Sequence, residues 1–478
     1  MKELTHIKRL SAVKSTTGVK FLTPAVLPGN HCPMRIASTI VENIEGLSSL
    51  LVGMQECATH SRLFSPKPEG EHGELHWLYV LDANEVVFGC RDGLIDALKK
   101  MDHAGAKAIL LIATCVPELI GEDIGAIIHE VQQEVSARLT FVLLGQFKNT
   151  SYPPGSWKTM EAFFAFMDAK VTDSKKINIL GCAPEEDHIP MPALFPALIE
   201  RGLTLRYLAP GASLADFQNA ADAALNLVVS PYTLPLAVKM EQELGVPYIA
   251  LHNMYDTDEI DGVYAEIAEY FGFSWGDEFA EQRQAAISLQ NRAKQRLEGL
   301  RYVSSLGVSM PIPLATYLAS FGMEPLLLHL EEYYPEDKQH AKALLALGEN
   351  PWICRMVNIE ADIPVLEALA PDLCIGYLPH TYRGIPFVAN MLDFYGQLGY
   401  GRTSRLLRRI LDVLDTIKTT NVVGNEIITE MSNEVTSEMS NKTTIEECNE
   451  TTLEVSNETN NLVELPRKGD REYGVTSV

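Results

Sequence analysis

Short apolar runs alternate with amphipathic segments along most of the chain. Strands with so little polar alternation are typical of parallel sheets that helices cover on both faces. The helical patterns between them predict right-handed βαβ units. The sequence therefore predicts an α/β protein with doubly wound parallel sheets. The predicted strand segments are LHWLYVLD, AKAILLIAT, LTFVLLGQF, KINILGC, LTLRYLAP, LNLVVSP, VPYIALH, WICRMVN and DLCIGYLP.

Breaks in this pattern divide the body of the chain into three units. With 478 residues the chain is too long for one ordinary hydrophobic core. Charged segments occur near DAKVTDSKK and in EFAEQRQAAISLQNRAKQRLEG, and we interpret both as linkers. The predicted Rossmann-like α/β domains are residues 1–172, 173–280 and 281–420.

The composition changes after residue 419. Residues 421–478 contain 12 acids and 4 bases, are rich in Asn, Thr, Ser and Glu, and repeat in octads such as NEIITEMS and NEVTSEMS. A segment with so few aromatic residues buries too little apolar surface to offset the entropy of ordering. We predict an acidic, low-complexity, disordered tail, with partner binding as the alternative.

Charge and composition exclude several classes of partner. The formal net charge is −24, whereas binding to a phosphate backbone needs clustered cations, so we expect no nucleic acid partner. The sequence has no apolar signal region and no run long enough to span a membrane, so we expect a cytoplasmic protein.

In a reducing compartment, cysteines that have a function serve as metal ligands or as catalytic groups. Many of the 8 cysteines are nevertheless expected to be packing residues.

Three cysteines stand where a strand or loop turns into a helix. Cys32 precedes Pro33, which suits a first helical turn, Cys57 follows SSLLVGMQE, and Cys115 follows AILLIAT. Unpaired N–H groups at a helix amino terminus favour the thiolate form that binds metal. These three thiolates could therefore converge on a metal site.

Position alone does not single these three out. Cys90 and Cys182 also follow predicted strands, in NEVVFGCRDGL and KINILGCAPEED. Cys354 and Cys374 lie inside predicted strands and are expected in the core, and Cys448 lies in the tail. The sequence contains no CxxC pair, so zinc-ribbon and ferredoxin spacings are absent.

The cysteine segments resemble those of the nitrogenase component 1 family. This family includes nitrogenase α and β chains, cofactor-assembly scaffolds, dark-operative protochlorophyllide reductases and the nickel-sirohydrochlorin cyclase component. The likeness rests on HCP, on GMQECATHSRLF 25 positions later, and on TCVPELIGEDI after 58 more. VVFGCRDGLIDALKK, SKKINILG and DTDEIDG are similar to further family segments, and GQFKNTSYPPGSWKTMEAF resembles β-type more than α-type chains.

The resemblance implies that Cys32, Cys57 and Cys115 bind an iron–sulfur cluster where two homologous subunits meet. The cluster would be a 4Fe–4S cubane or an 8Fe–7S cluster of the P-cluster type. Ser151 and Cys90 are weaker candidate ligands, and packing is the favoured role of Cys90. Three cysteines are too few for a cubane, so the remaining ligands would come from an α-type partner chain or a second copy of this chain.

The implied function is that of a nitrogenase-like reductase subunit that receives electrons from an ATP-dependent iron protein. This chain has no P-loop motif, so ATP would be hydrolysed by that separate protein. Ser230 and Met391 stand near the positions where nitrogenase α chains bind their large cofactor, and neither replaces a thiolate or an imidazole. We therefore expect no nitrogenase-type active-site cofactor on this chain. The alternatives are a scaffold for metallocluster assembly and a tetrapyrrole reductase or cyclase component, and the catalytic residues are unknown.

Removing residues 421–478 is expected to leave the iron content and the Tm nearly unchanged, because a disordered acidic tail adds little to a folded core. Iron analysis and thermal unfolding of the truncated and full chains test this. A large fall in Tm on truncation would contradict the prediction.

Overall fold

A computed structural model shows strands and helices alternating along the chain. It describes residues 7–15, 32–57, 69–145, 153–181, 191–305, 310–355, 363–376, 385–388 and 397–416. The chain divides after Lys418, and every described residue belongs to the first part. The predicted disordered tail, together with Ser151, Cys182, Met391 and Cys448, lies outside the described residues.

The strands are short and are mostly followed by a helix. In chain order they are β1 (Ile7–Arg9), β2 (Ser48–Gly53), β3 (His76–Val80), β4 (Ala108–Ala113), β5 (Arg138–Leu143), β6 (Asp173–Leu180), β7 (Thr204–Leu208), β8 (Ala223–Val228), β9 (Tyr248–Ala250), β10 (Arg301–Ser304), β11 (Glu324–Leu330), β12 (Trp352–Arg355), β13 (Leu373–Ile375) and β14 (Phe387–Val388).

The α-helices range from a single turn to five turns. They are α1 (Pro33–Glu42), α2 (Ala83–Phe88), α3 (Arg91–His103), α4 (Cys115–Ile120), α5 (Ile124–Val131), α6 (Pro153–Ala162), α7 (Leu194–Glu200), α8 (Leu214–Gln218), α9 (Leu234–Leu244), α10 (Thr257–Tyr270), α11 (Ala280–Arg296), α12 (Pro311–Ala319), α13 (Asp337–Ala346), α14 (Ile363–Leu369) and α15 (399–416). None of the described helices is both long and apolar enough to cross a membrane.

The strands form three sheets, which confirms the predicted α/β class. The first sheet has the order β3-β2-β4-β5 and the second has the order β7-β6-β8-β9, with every pair parallel. The third sheet has the order β1-β12-β11-β10-β13-β14, in which β1 is an antiparallel edge strand. Each of the nine predicted segments overlaps one of these strands.

Strand β4 shows why the continuous apolar runs form covered parallel strands. All six of its residues are buried. Leu110 and Ile112 join the hydrophobic cluster that contains helix α1, whereas Ile109 and Leu111 join the cluster on the opposite face, which contains helix α3. Burial of side chains on both faces explains the absence of polar alternation in the sequence.

The sheets share parts of their cores. The cluster around helix α1 also contains Leu180 and Val228 of the second sheet. Helix α15 adds Tyr400 to the core of the second sheet and Leu406 to that of the third. The predicted linker segment EFAEQRQAAISLQNRAKQRLEG contains the long helix α11. The domain boundaries at 172/173 and 280/281 stay a prediction.

One expectation about local structure is corrected. The segment NEVVFG before Cys90 is not a strand but the helix α2, which begins at a capping box formed by Asp82 and Glu85. A short apolar run does not distinguish a strand from a helical turn, and the cap decides it here. Cys354 and Cys374 lie in β12 and β13 and are buried, as predicted.

A charged network fixes the second sheet. Asp222 accepts hydrogen bonds of 2.7 Å from both Arg206 and Lys176. Burial acts to raise the pKa of Asp222, but these two cations hold it below its usual range. The carboxylate therefore stabilises the fold above the pKa it has in the unfolded chain, and this stabilisation is lost as the pH falls through its lower folded value.

Asp222→Asn is expected to lower the free energy of unfolding by about 2 kcal/mol near neutral pH, because two charge-assisted hydrogen bonds are weakened. The difference from the parent protein should shrink below about pH 4, where the carboxylate is protonated in the unfolded chain. Denaturant unfolding measures both effects. Asp96→Asn is the matched control, because Asp96 pairs with Lys100 on an exposed helix surface and its loss should change stability little.

Candidate metal centre

Cys57 and Cys115 lie at the same edge of the first sheet. Strands β2 and β4 are parallel neighbours, and the chain leaves the sheet after Gly53 and after Ala113. The chain runs from β2 outwards to β3 and returns to β4 on the other side, so the strand order reverses between β2 and β4. Open α/β sheets bind ligands at such a point. The two cysteines therefore stand where this fold places ligand sites.

The first turns after these strands are in contact. The Cys57 thiol donates to the Thr114 hydroxyl oxygen, with a distance of 3.6 Å between sulfur and oxygen. A Cβ atom on Gly53 would overlap the Thr114 hydroxyl and lie 3.1 Å from the Cys57 sulfur. Glycine at position 53 is thus required for Cys57 and Thr114 to approach each other.

The neighbouring strand β5 supports the helix that begins at Cys115. The Gly145 N–H, just beyond β5, donates to Glu118 Oε2 over 2.7 Å. A Cβ atom on Gly145 would lie 2.6 Å from that oxygen and 3.3 Å from the Cys115 Cα. Glu118 lies in the first turn of helix α4, and its carboxylate connects that turn to the edge of the sheet.

Cys32 approaches from helix α1. It is the N-cap of this helix, Pro33 occupies the first turn as predicted, and the Cys32 residue is only 7% exposed. The backbone of Gly155 in helix α6 lies so close that a Cβ atom there would overlap the Pro33 carbonyl oxygen. Cys57 packs against the same hydrophobic cluster as Cys32.

The pKa of Cys32 depends on both of the other thiols. Burial, followed by the charges of Cys115 and Cys57, raises its pKa to about 11, although the N–H groups of Met34 and Arg35 at the helix start act to lower it. Cys115 and Cys57 are thus near enough to Cys32 for their charges to act on it. Cys32 therefore lies within electrostatic range of the other two cysteines that the sequence singled out.

Cysteine thiols are the ligand type that iron–sulfur clusters take. Within the described residues, no group of three His, Cys, Asp or Glu side chains could hold one metal ion. An iron–sulfur cluster is wider than an ion, so its thiolates bind at separate corners, and its ligands are cysteines. A set of three thiols around one sheet edge fits such a group, with a further ligand required from elsewhere.

Cys90 lies apart from this set. It is the N-cap of helix α3 and is 1% exposed in the cluster on the other face of the sheet. Its N–H donates to Glu122 Oε2 over 2.7 Å. Burial and then the Glu122 carboxylate raise the pKa of its thiol to about 12. These surroundings favour the neutral thiol and a packing role.

Ser230 follows strand β8 in the second sheet. It is fully buried, and its hydroxyl accepts a hydrogen bond from the Tyr232 N–H as the N-cap of the short 3-10 helix Pro231–Thr233. The serine hydroxyl therefore has a local structural role.

An apolar surface beside Cys115 was not predicted. Helices α2 and α4 are in contact. They expose Phe88 (85%), Val87 (70%), Leu119 (58%) and Ile120, and we call these four side chains the apolar patch. Exposed apolar side chains that cluster beside a candidate site indicate an interaction surface. The runs VVF and LI in the sequence contained these residues, but their exposure depends on tertiary packing.

Comparison with known proteins identifies the family to which the chain is similar. The family of nitrogenase component 1 type oxidoreductases matches residues 32–415. The nitrogenase iron-molybdenum cofactor biosynthesis protein NifE of Nostoc sp. is 25% identical over 352 residues, which cover 70% of this chain and 72% of that protein. Light-independent protochlorophyllide reductase subunit N of Chlorobium phaeobacteroides is 22% identical, with coverage of 60% and 67%. The nitrogenase molybdenum-iron protein beta chain of Methanococcus maripaludis is 21% identical, with coverage of 80% and 90%.

A solved structure has the same fold. The structure described as nitrogenase Cp1 at pH 6.5 superposes with a TM-score of 0.63 at 18% sequence identity, covering 84% of this chain and 95% of that one.

Proposed function

Because the chain belongs to the family of nitrogenase component 1 type oxidoreductases, we propose that it is a reductase subunit whose Cys32, Cys57 and Cys115 hold an iron–sulfur cluster. The observation that supports this proposal is that Cys57 and Cys115 follow neighbouring strands at one edge of the first sheet, with Cys32 within electrostatic range of both. An iron–sulfur cluster held by these thiolates would supply one-electron transfer at this edge.

The surroundings of Cys115 support electron entry at this edge. The apolar patch lies on helix α4, which begins at Cys115, and on its neighbour α2. An ATP-dependent iron protein that docks on this patch would come close to the cysteine sulfurs. The chain itself contributes the docking surface and the thiolates, and the partner hydrolyses ATP.

The count of ligands supports an assembly of two homologous subunits. A 4Fe–4S cubane takes four protein ligands, whereas the proposed site has three cysteines from this chain. The remaining ligands and the surface that excludes water would come from an α-type chain or a second copy of this chain. The substrate would be bound and reduced within that assembly.

Cys115→Ala is expected to remove most of the iron from the anaerobically purified protein while the fold persists, because one thiolate of the site is lost. Iron and sulfide analysis with circular dichroism measures this. The matched control is Cys90→Ala, which removes a buried thiol from the other face of the sheet and should retain the iron. Full iron content in Cys115→Ala would overturn the ligand assignment.

Assembly gives a second measurement on the same variants. A cluster that bridges two subunits binds the assembled form only, and it therefore stabilises that form by mass action. Anaerobic light scattering should show an oligomer for the parent and for Cys90→Ala, and weaker association for Cys115→Ala. A monomer that retains a complete cluster would contradict the interface proposal.

Leu119→Asp is expected to slow ATP-dependent electron delivery from the iron protein at least about tenfold without loss of iron, because a charge replaces an apolar contact of the patch. Leu347→Asp is the matched control, since Leu347 is 53% exposed and lies at the end of helix α13 in the third-sheet region. Equal rates in the two variants would rule out the patch as the docking surface.

A second candidate function is a scaffold on which a metallocluster is assembled. The similarity to the cofactor biosynthesis protein NifE favours it, and it needs the same fold and cysteines. The similarity to a protochlorophyllide reductase subunit favours a tetrapyrrole as the substrate within the reductase function. Reduction of a substrate with an iron protein and ATP would support the reductase. Transfer of the bound cluster to another protein, without substrate reduction, would support the scaffold.

A further inference from the structure

An aromatic groove lies on the second-sheet part of the molecule, away from the cysteines. Its walls are helices α10 and α11, the segment 271–279 that joins them, and Tyr400 of helix α15. Its volume is about 690 Å³, within the range of small-molecule sites. Two of the sequence segments that define it are DTDEIDG and the charged helix-prone stretch after it, and neither has a role in the proposed cluster site.

The rings of the groove form a connected set. The centroids of Phe273 and Trp275 are 4.8 Å apart, those of Trp275 and Phe279 are 5.0 Å apart, and Tyr264 lies 4.9 Å from Phe279. The Trp275 indole N–H donates to the Tyr264 carbonyl oxygen over 2.6 Å, which fixes the orientation of the indole. The ring surface is therefore formed before any ligand binds.

Small residues leave the rings accessible. Ala265 and Ala268 on helix α10 and Ala280 at the start of helix α11 line the groove between the rings. Phe273 and Trp275 are half-buried, so part of each ring contacts solvent within the groove. A flat ligand can reach these two rings without displacing a large side chain.

The polar lining has an excess of negative charge. Arg283 is paired with Asp261 by two contacts of 2.8 and 2.9 Å from Nε, and Tyr400 also donates to this carboxylate. Burial acts to raise the pKa of Asp261, but these partners hold it below its usual range, so the pair is neutral overall. Glu269 and Asp277 also line the groove and are exposed. The groove therefore favours a cation.

The same rings already hold a cation within the protein. The Arg201 guanidinium lies 5.1 Å from the centroid of Phe273 and 5.7 Å from that of Trp275. These distances are within the range of cation–π attraction. The Arg201 guanidinium also pairs with the Glu278 carboxylate, which offsets its charge beside the groove.

We propose that this groove is a binding site for a small organic cation with an aromatic ring, which stacks on Trp275 and Phe273 while Glu269 and Asp277 face its charge. The site is separate from the cluster-binding edge and does not depend on the proposed reductase function. A small molecule is the occupant because a groove of this volume accepts one flat ligand.

Calorimetric titration of the full chain near neutral pH with N-methylquinolinium, quinoline and naphthoate tests the proposal. These probes have similar rings and are cationic, neutral and anionic. We expect the cation to bind at least about fivefold more tightly than quinoline, and naphthoate not to bind. Absence of cation binding, or equal binding of cation and quinoline, would overturn the proposal.

Variants assign the binding to this groove. Trp275→Leu should weaken cation binding at least about fivefold. Trp157→Leu is the matched control, because Trp157 lines a different groove that contains Lys158 and Lys239, and it should have no effect. The surface double variant Glu269→Gln with Asp277→Asn leaves the rings in place and should weaken binding of the cation but not of quinoline. A similar loss in Trp157→Leu, or an unchanged affinity in the double variant, would count against the site.

Discussion

A side chain at Gly53 would overlap the Thr114 hydroxyl and press on the Cys57 sulfur, and the candidate site depends on the absence of that side chain. Strands β2 and β4 are hydrogen-bonded neighbours, so the turns that follow them are forced close together. Glycine lets those turns pack directly, which brings Cys57 and Cys115 to one edge. The spacing of strands β2 and β4 therefore fixes the separation of Cys57 and Cys115. Cys32, like any ligand from a partner chain, has to fit that separation.

Seven of the eight strands in the first two sheets could be predicted because each contains a mostly apolar run, whereas β2, SSLLVG, was not among the predicted segments. The third sheet was harder. Its central strand β11, EPLLLHL, was not among the predicted segments, although six of its seven residues are buried. The run begins with Glu324 and Pro325 and is followed directly by acidic residues, so its local pattern does not distinguish a strand from a buried helical turn. Its place between β10 and β12 is fixed by long-range pairing that no local window contains.

The cysteines also show that a local sequence pattern does not determine the surroundings of a residue. Cys90 and Cys115 both stand at a helix start after an apolar segment, and helix position alone would make either a thiolate. In the structure the two cysteines have different surroundings, because Cys90 packs against one face of the sheet and Cys115 lies at its edge. Cys90 is enclosed in a core beside the Glu122 carboxylate, which favours the neutral thiol, whereas Cys115 is half-buried at the edge that Cys57 and Cys32 share. The family resemblance selected Cys32, Cys57 and Cys115 because its motifs carry spatial information that a helix start lacks, and their role as ligands stays a prediction.

The same electrostatics connect metal, protons and assembly in the proposed site. Burial and the neighbouring thiols raise the pKa of Cys32 to about 11, so without a compensating positive charge its thiol holds a proton at neutral pH. Binding of a cluster requires the thiolate, and the proton must therefore leave as the iron binds. A second subunit that covers the edge would exclude water and make uncompensated thiolates costlier still. Loss of the Cys32 proton, binding of the cluster and association of the subunits would therefore favour one another. Iron would replace the proton, and the covering subunit would slow dissociation of the iron.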